Sequence, residues 1–341
     1  VKRLIIVVGA VLVAVVAAAA LAMARYLESP LTVAEGGVEF EIAPGTSFRA
    51  VSDRLGELGV TRHPFLLRAY ARWTGQASAV QAGDYLIETG TTPIALLRKF
   101  TSGAVRLYPF TIVEGWNRWE LLEALHDHPF ITATMTDEDW PALLGDLGAP
   151  ETQPEGLFLP ETYHVPRGSS DRAILAKAYA LMQDVLSDEW QHRDESVPLS
   201  TPYQALILAS IVEKETARAD ERARIAGVFV RRLEKRMRLQ TDPTVIYGIG
   251  EAFDGNLTRH DLETDTPYNT YTRAGLPPTP IAMPGRASIH AALHPAEGDA
   301  LYFVATGLPD GSHTFSATKD EHDAAVADYL KRLRKARRQG T

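Results

Sequence analysis

Residues 201–217 read TPYQALILASIVEKETA, and the pattern is that of a helix built to be buried. Thr201 can cap it, Pro202 suits its first position because a proline lacks the N–H that would go unpaired there, and Gln204 stands where a capping box closes. At 100° per residue, Leu208, Ile211, Val212 and Glu215 fall on one face. Glu215 therefore continues an apolar stripe, whereas Glu213, two residues back, points to roughly the opposite side. Burial disfavours the charged form of a carboxyl group, so Glu215 is expected to keep its proton to a higher pH than an ordinary glutamate. A general acid working near neutral pH needs that tuning. The plainer alternative is an exposed turn on which Glu215 pairs with Arg218 or Arg222.

Working back toward the N-terminus, Pro154 to Pro166 (PEGLFLPETYHVP) is rich in proline, aromatic and acidic residues and is expected as an ordered loop. Before it, Trp116 to Ala124 has helical spacing, and VRLYPFTIV at 105–113 alternates as a strand does. Upstream again, Val38, Phe40 and Ile42 alternate up to the Pro44-Gly45 turn. Thr46 or Ser47 can cap a helix that carries Phe48, Val51, Leu55 and Leu58 and stops at Gly59. A second helix is expected over Pro64 to Trp73, a strand opened by Gly83, Asp84 and Tyr85, and a further helix over Pro93 to Phe100. This order, with APGTSFRAVSDRLGELGV at 43–60, resembles a LysM-type glycan-binding unit spanning 36–104; a purely supporting α+β module is the alternative. Residues 26–35 read as a linker.

The first 25 residues set the location. LIIVVGAVLVAVVAAAALAMA at 4–24 has no charge and no proline, and roughly 20 apolar residues are what a helix needs to cross a bilayer. A cleavable signal peptide would have a shorter apolar core, about 7 to 15 residues, so the span is expected to be retained. Lys2 and Arg3 precede it, which leaves the N-terminus cytoplasmic and the remainder outside.

The totals narrow the chemistry. The chain has 341 residues, 43 acidic against 35 basic, and a net charge of -8, an acidic balance that argues against nucleic acid as partner. The basic run Lys331, Arg332, Arg334, Lys335, Arg337 and Arg338 is read as a solvated helix end. There is no cysteine, which removes thiolate catalysis and Cys-ligated metals. His290 and His294 stand four apart as helical metal ligands can, but the HExxH pattern is absent and the sequence offers no evident third ligand, so capping or packing is the expectation. Gly248 and Gly250 do not complete a dinucleotide fingerprint.

Seven segments then fall in one order: LASIVEKETA (208–217), MRLQTDPTVIYG (237–248), YNTY (268–271), GLPPTPIAMPG (275–285), HP (294–295), LYFV (301–304) and HTFS (313–316). Together they resemble the endolytic murein transglycosylases, the YceG-like family. The resemblance implies an α+β protein with an N-terminal transmembrane helix, the LysM-like module and a larger catalytic domain over 105–341 with a lysozyme-like catalytic helix. It implies a lyase that cleaves the MurNAc to GlcNAc linkage in nascent peptidoglycan strands and leaves 1,6-anhydro-MurNAc ends, without cofactor or metal.

Glu215 followed by Thr216 looks like the Glu-Ser pair of lysozyme-like transglycosylases, and Glu213 is the reserve candidate. Gln240, Thr241 and Asp242 would hydrogen-bond the sugar or its N-acetyl group. Tyr268 and Asn269 resemble the Tyr-Asn pair of related lyases, and Glu155 and Glu161 could line the cleft. Implied partners are glycan strands, the inner membrane through the N-terminal helix, and peptidoglycan synthases. Two rivals stand beside this: a hydrolysing muramidase with Asp242 or Asp265 as base, and a non-catalytic wall-binding scaffold of the elongation machinery.

Overall fold

The computed structural model describes residues 2–339, with side chains from 3 to 335. The chain divides into two compact units, Val1–Pro109 with His164–Ser169, and Phe110–Tyr163 with Ser170–Thr341.

The first unit opens with helix α1 (Lys2–Glu28), about 40 Å long at 1.5 Å per residue and long and apolar enough to cross a membrane. Strand β1 (Val38–Ile42) pairs antiparallel with β2 (Gly83–Ile87), Val38 opposite Ile87 and Ile42 opposite Gly83. Between them lie α2 (Phe48–Glu57), capped by the Ser47 hydroxyl, and α3 (Pro64–Trp73). Helix α4 (Pro93–Ser102), capped by Thr92, follows β2. The alternating Phe40 and Ile42 meet the helical stripes of Val51 and Leu55, Leu67, and Leu96, Leu97 and Phe100 in one core. Two periodicities, 2 for the strand and 3.6 for the helices, thus converge on the same apolar centre.

Residues 26–35 depart from the expected linker. Leu27 and Leu31 are buried, the Tyr26 hydroxyl lies 2.9 Å from that of Thr61, and the N–H groups of Leu31 and Thr32 donate to Thr91 and Val60. A short polar-looking stretch concealed Leu31, which the module takes into its core with Tyr26 and Val33 against it.

Strand β3 (Leu107–Thr111) pairs with β5 (Thr162–Pro166). The segment expected as loop therefore ends in a strand. Tyr163 and Val165 point inward and their neighbours outward, a period of two too short to notice between prolines.

The second unit is mainly helical. Helix α5 (Arg118–Asp127) opens on an Asn117–Glu120 capping box; the two-residue strands β4 (Ile131–Thr132) and β6 (Ser169–Ser170) flank α6 (Trp140–Leu147) in the chain. Then come α7 (Asp171–Gln191), α8 (Pro202–Glu215), α9 (Arg222–Glu234), α10 (Asp242–Ile249), α11 (Arg259–Glu263) and α12 (Arg286–Leu293). The hairpin β7 (Tyr302–Ala305) and β8 (His313–Ser316) leads into α13 (Lys319–Gln339).

Helix α8 is the centre of this unit. Every residue from Ala205 to Val212 is buried, because α7, α9, α10 and α12 all pack on it. The single apolar face read from Leu208, Ile211 and Val212 is part of a helix that is apolar all round. Its N-terminus is capped by Thr201 as expected, but Gln204 accepts from the Ser200 N–H at 2.7 Å and so reaches past the Thr201 N–H that a capping box would use. The helix stops at Glu215, since Thr216 turns to extended backbone. Of the basic run, Arg332 donates to the Thr306 carbonyl, and the side chains of Arg337 and Arg338 lie outside the described residues.

Candidate active site

Glu215, the last residue of α8, lies partly buried in a groove of about 470 Å³ together with Arg232, Gln240, Asp242, Tyr271 and Tyr302. Thr241 donates its hydroxyl to Glu215 Oε1. Thr241 holds the N-cap position of α10 yet makes no capping bond, so its hydroxyl serves the carboxyl group in place of its own helix. Buried threonines fix it: its N–H donates to Thr270 Oγ1 at 3.1 Å, its carbonyl accepts from Thr244 Oγ1 at 2.8 Å, and those two hydroxyls lie 2.9 Å apart. Gln240 is held at φ 52, the left-handed region that residues with a Cβ seldom occupy. Such strain persists where the surroundings over-determine it, here through a hydrogen bond from the Gln240 N–H to the Thr270 carbonyl.

The electrostatics favour a protonated Glu215. Burial, with a smaller contribution from the charge of Asp242, pushes its carboxyl up to about 7 against the opposing Thr241 hydrogen bond and Arg232 charge. Asp242 accepts from the Tyr271 hydroxyl. Arg232 is buried and gives its guanidinium to three carbonyls, Leu301 at 2.6 Å, Leu239 at 2.7 Å and Arg238 at 3.2 Å. It thereby ties α9 both to the segment before Gln240 and to the start of the hairpin, and it lies 5.1 Å from the centre of the Tyr302 ring. That ring stacks on His322 at 5.2 Å.

Glu213 is engaged elsewhere. Its side chain is 6% exposed, 3.6 Å from Arg222, and accepts from the Gly285 N–H at 3.0 Å. Ser210 similarly accepts from the Ile281 N–H, so the two α8 side chains pin the 275–285 segment along the helix. Arg218 pairs with Asp220. Among the described residues, neither Arg218 nor Arg222 forms an ion pair with Glu215.

The other sequence candidates are distributed differently from expectation. Gln240 and Asp242 line the groove beside Glu215. Asn269 is fully buried; its Nδ2 donates to the carbonyls of Asp261, Leu262 and Thr264, and its Oδ1 accepts from the N–H groups of Tyr271 and Thr272. It organises a loop. Tyr268 bonds Thr279 at 2.9 Å and packs edge-on against Tyr247. Glu155 is fully buried, accepting from the Tyr247 hydroxyl at 2.8 Å and from the Arg118 N–H at the start of α5, and burial raises its carboxyl to about 7. Glu161 is exposed and accepts from the Thr162 N–H. Asp265 pairs with Arg273 and Thr272, which hold it down at about 2. His290 and His294 lie beside a third group, Glu189 of α7.

Sequence reasoning missed Arg232, Tyr271, Tyr302, Lys319 and His322, all of which line the groove. Tyr271 and Tyr302 stood inside quoted motifs, YNTY and LYFV, and the aromatic ring in each was the available signal.

The sequence profile of the YceG-like family matches residues 40–328. An endolytic murein transglycosylase of Bacillus subtilis is 32% identical over 311 residues, covering 86% of this chain and 85% of that protein. One from Streptococcus pneumoniae strain D39 is 25% identical, covering 85% of this chain and 58% of that longer protein. A crystal structure of a YceG-like protein from Listeria monocytogenes matches with TM-score 0.50 and 27% identity, over 84% of this chain and 98% of the other.

Proposed function

This chain belongs to the YceG-like family, and on that premise we propose that it is a membrane-anchored endolytic murein transglycosylase with Glu215 as its acid and then its base. The enzyme class follows the names of its relatives; the residue roles rest on the groove. The observation that carries them is a carboxyl group at the end of a buried helix, bonded by Thr241 and set among hydrogen-bonding and aromatic side chains, where burial raises it to about 7.

Glu215 delivers its proton to the oxygen of the MurNAc to GlcNAc bond, and the bond between C1 and that oxygen breaks. The C6 hydroxyl of the same MurNAc then closes on C1 while ionised Glu215 takes its proton, giving the 1,6-anhydro end with no water consumed. Ordinary glycosidases divide these tasks between two carboxylates. Thr241 positions Glu215, and Gln240 and Asp242 bind the sugar. Asn269 acts at one remove by holding the loop that presents Thr270 and Tyr271. Helix α1 anchors the chain, with the residues after it on the outer face of the inner membrane, where nascent strands and their synthases lie.

Asp242 in the same groove gives a hydrolysing route its one foothold, as the base that activates water. Digestion of uncrosslinked glycan by the full chain in detergent, followed by mass analysis, decides between the two. Anhydro ends, lighter by one water, are expected; reducing ends would replace the lyase reading with hydrolysis.

The pH dependence follows from the same carboxyl group. An acid must hold its proton, so kcat/KM falls as pH rises through about 7, the quantity that reports ionisation in the free enzyme. The Thr241 hydroxyl stabilises the ionised form. Thr241→Val therefore moves the descending limb upward, by about one pH unit for a hydrogen bond to a charged group. A limb that stays in place or moves down would assign it to another group.

A further inference from the structure

Away from the groove, α12 carries His290 and His294 one helical turn apart, and α7 brings Glu189 to them across the packed interface. His290 Nδ1 is 2.8 Å from Glu189 Oε2, and the two imidazole centres are 4.3 Å apart. One ligand atom from each of the three residues lies within 4.8 Å of the other two. We propose that Glu189, His290 and His294 bind a divalent transition metal of the zinc class, which clips the C-terminal end of α7 to α12.

The donor set selects the ion. Two imidazoles and one carboxylate suit zinc, cobalt, nickel or copper, whereas magnesium and calcium prefer all-oxygen sites. Tetrahedral coordination with bonds of about 2.0 to 2.1 Å places ligand atoms roughly 3.3 Å apart. The present separation therefore closes by an ångström or so, within the rotamer freedom of His290, whose side chain is 58% exposed.

The surroundings are also those of a metal site. Glu189 is 8% exposed, and Arg286 Nε donates to its Oε1 at 2.8 Å, which fixes the carboxylate and leaves Oε2 turned to His290. A second partner that orients a ligating group is a regular feature of such centres. Asp194 and His192 act electrostatically on His294, and Asp188 bonds Arg286. Three carboxylates against one guanidinium leave a local negative charge that favours a dication. The third ligand was invisible in the sequence because Glu189 stands 101 residues before His290.

A metal-free alternative exists, in which protonated His290 simply pairs with Glu189. Titration of the untagged, chelator-treated full chain in detergent with zinc and cobalt chlorides separates the two. One equivalent should bind, cobalt should give the intense visible bands of a tetrahedral ion, and the thermal midpoint should rise. His290→Gln, the safest variant because that side chain is exposed, should weaken zinc at least tenfold, as should His294→Gln. Glu189→Gln should abolish the metal-dependent rise in midpoint, judged against its own metal-free melting so that loss of the Arg286 pair does not enter. Absence of stoichiometric binding, equal binding of magnesium, or binding that survives Glu189→Gln and leaves the midpoint unmoved would overturn the site. The last result would mean surface imidazoles only.

Discussion

Glu215→Gln should lower kcat for cleavage of uncrosslinked glycan by about 10²- to 10⁴-fold, the usual worth of a positioned general acid. The amide keeps the shape of the carboxyl group, and its oxygen can still accept from the Thr241 hydroxyl that now serves Oε1, but it has no proton to give. The variant also separates chemistry from folding. Because the folded carboxyl group titrates near 7, above its unfolded value, its contribution to stability is full below about pH 4.3 and is lost as pH rises through 7. At pH 8 the wild type carries an ionised group in a poorly hydrated place and Glu215→Gln does not. The variant should therefore melt at an equal or higher temperature at pH 8, with that advantage gone at low pH. Measured together, glycan release and melting at the two pH values give the test: a variant that still releases fragments at the wild-type rate removes Glu215 from the mechanism. Glu155, raised by burial in the same way, leaves a second pH-sensitive contribution in place.

Asn269→Ala should cost about 2 to 4 kcal/mol of stability, the range for breaking a buried hydrogen-bond network. Its amide satisfies three carbonyls and two N–H groups within one loop, and alanine leaves buried polar groups without partners. The loop carries Thr270, which bonds Thr241, and Tyr271, which bonds Asp242, so activity falls with it. Urea unfolding gives the first quantity and glycan digestion the second. Full stability combined with lost activity would instead make Asn269 a substrate contact, the role its place in the YNTY motif suggested.

Much of the first unit was legible because each signal there is local. Phe40 and Ile42 alternate over five residues, Ser47 caps α2 on the spot, and Gly59 supplies the positive φ that ends it. Glu215 was legible for a related reason: its spacing from Leu208, Ile211 and Val212 is fixed by the helix that carries it. What surrounds Glu215 was not, because Arg232, Tyr271, Tyr302 and His322 reach the groove from separate elements that only the tertiary fold brings together. Thr241 shows a subtler limit. Its presence near the site was readable, but whether its hydroxyl faced a sugar or the carboxyl group depended on how α10 meets α8.

The root of the apolar helix α1 has a mechanical consequence. A free stretch of ten residues would let the first module drift by about 18 Å, at 5 to 6 Å times the square root of length. Instead Leu31 is sunk into that module's core, Tyr26 and Val33 pack against it, and two backbone hydrogen bonds seize the chain within four residues of the helix end. With α1 in a bilayer, the module stands on a stiff post instead of swinging from a string, and its altitude above the lipid is set by covalent geometry.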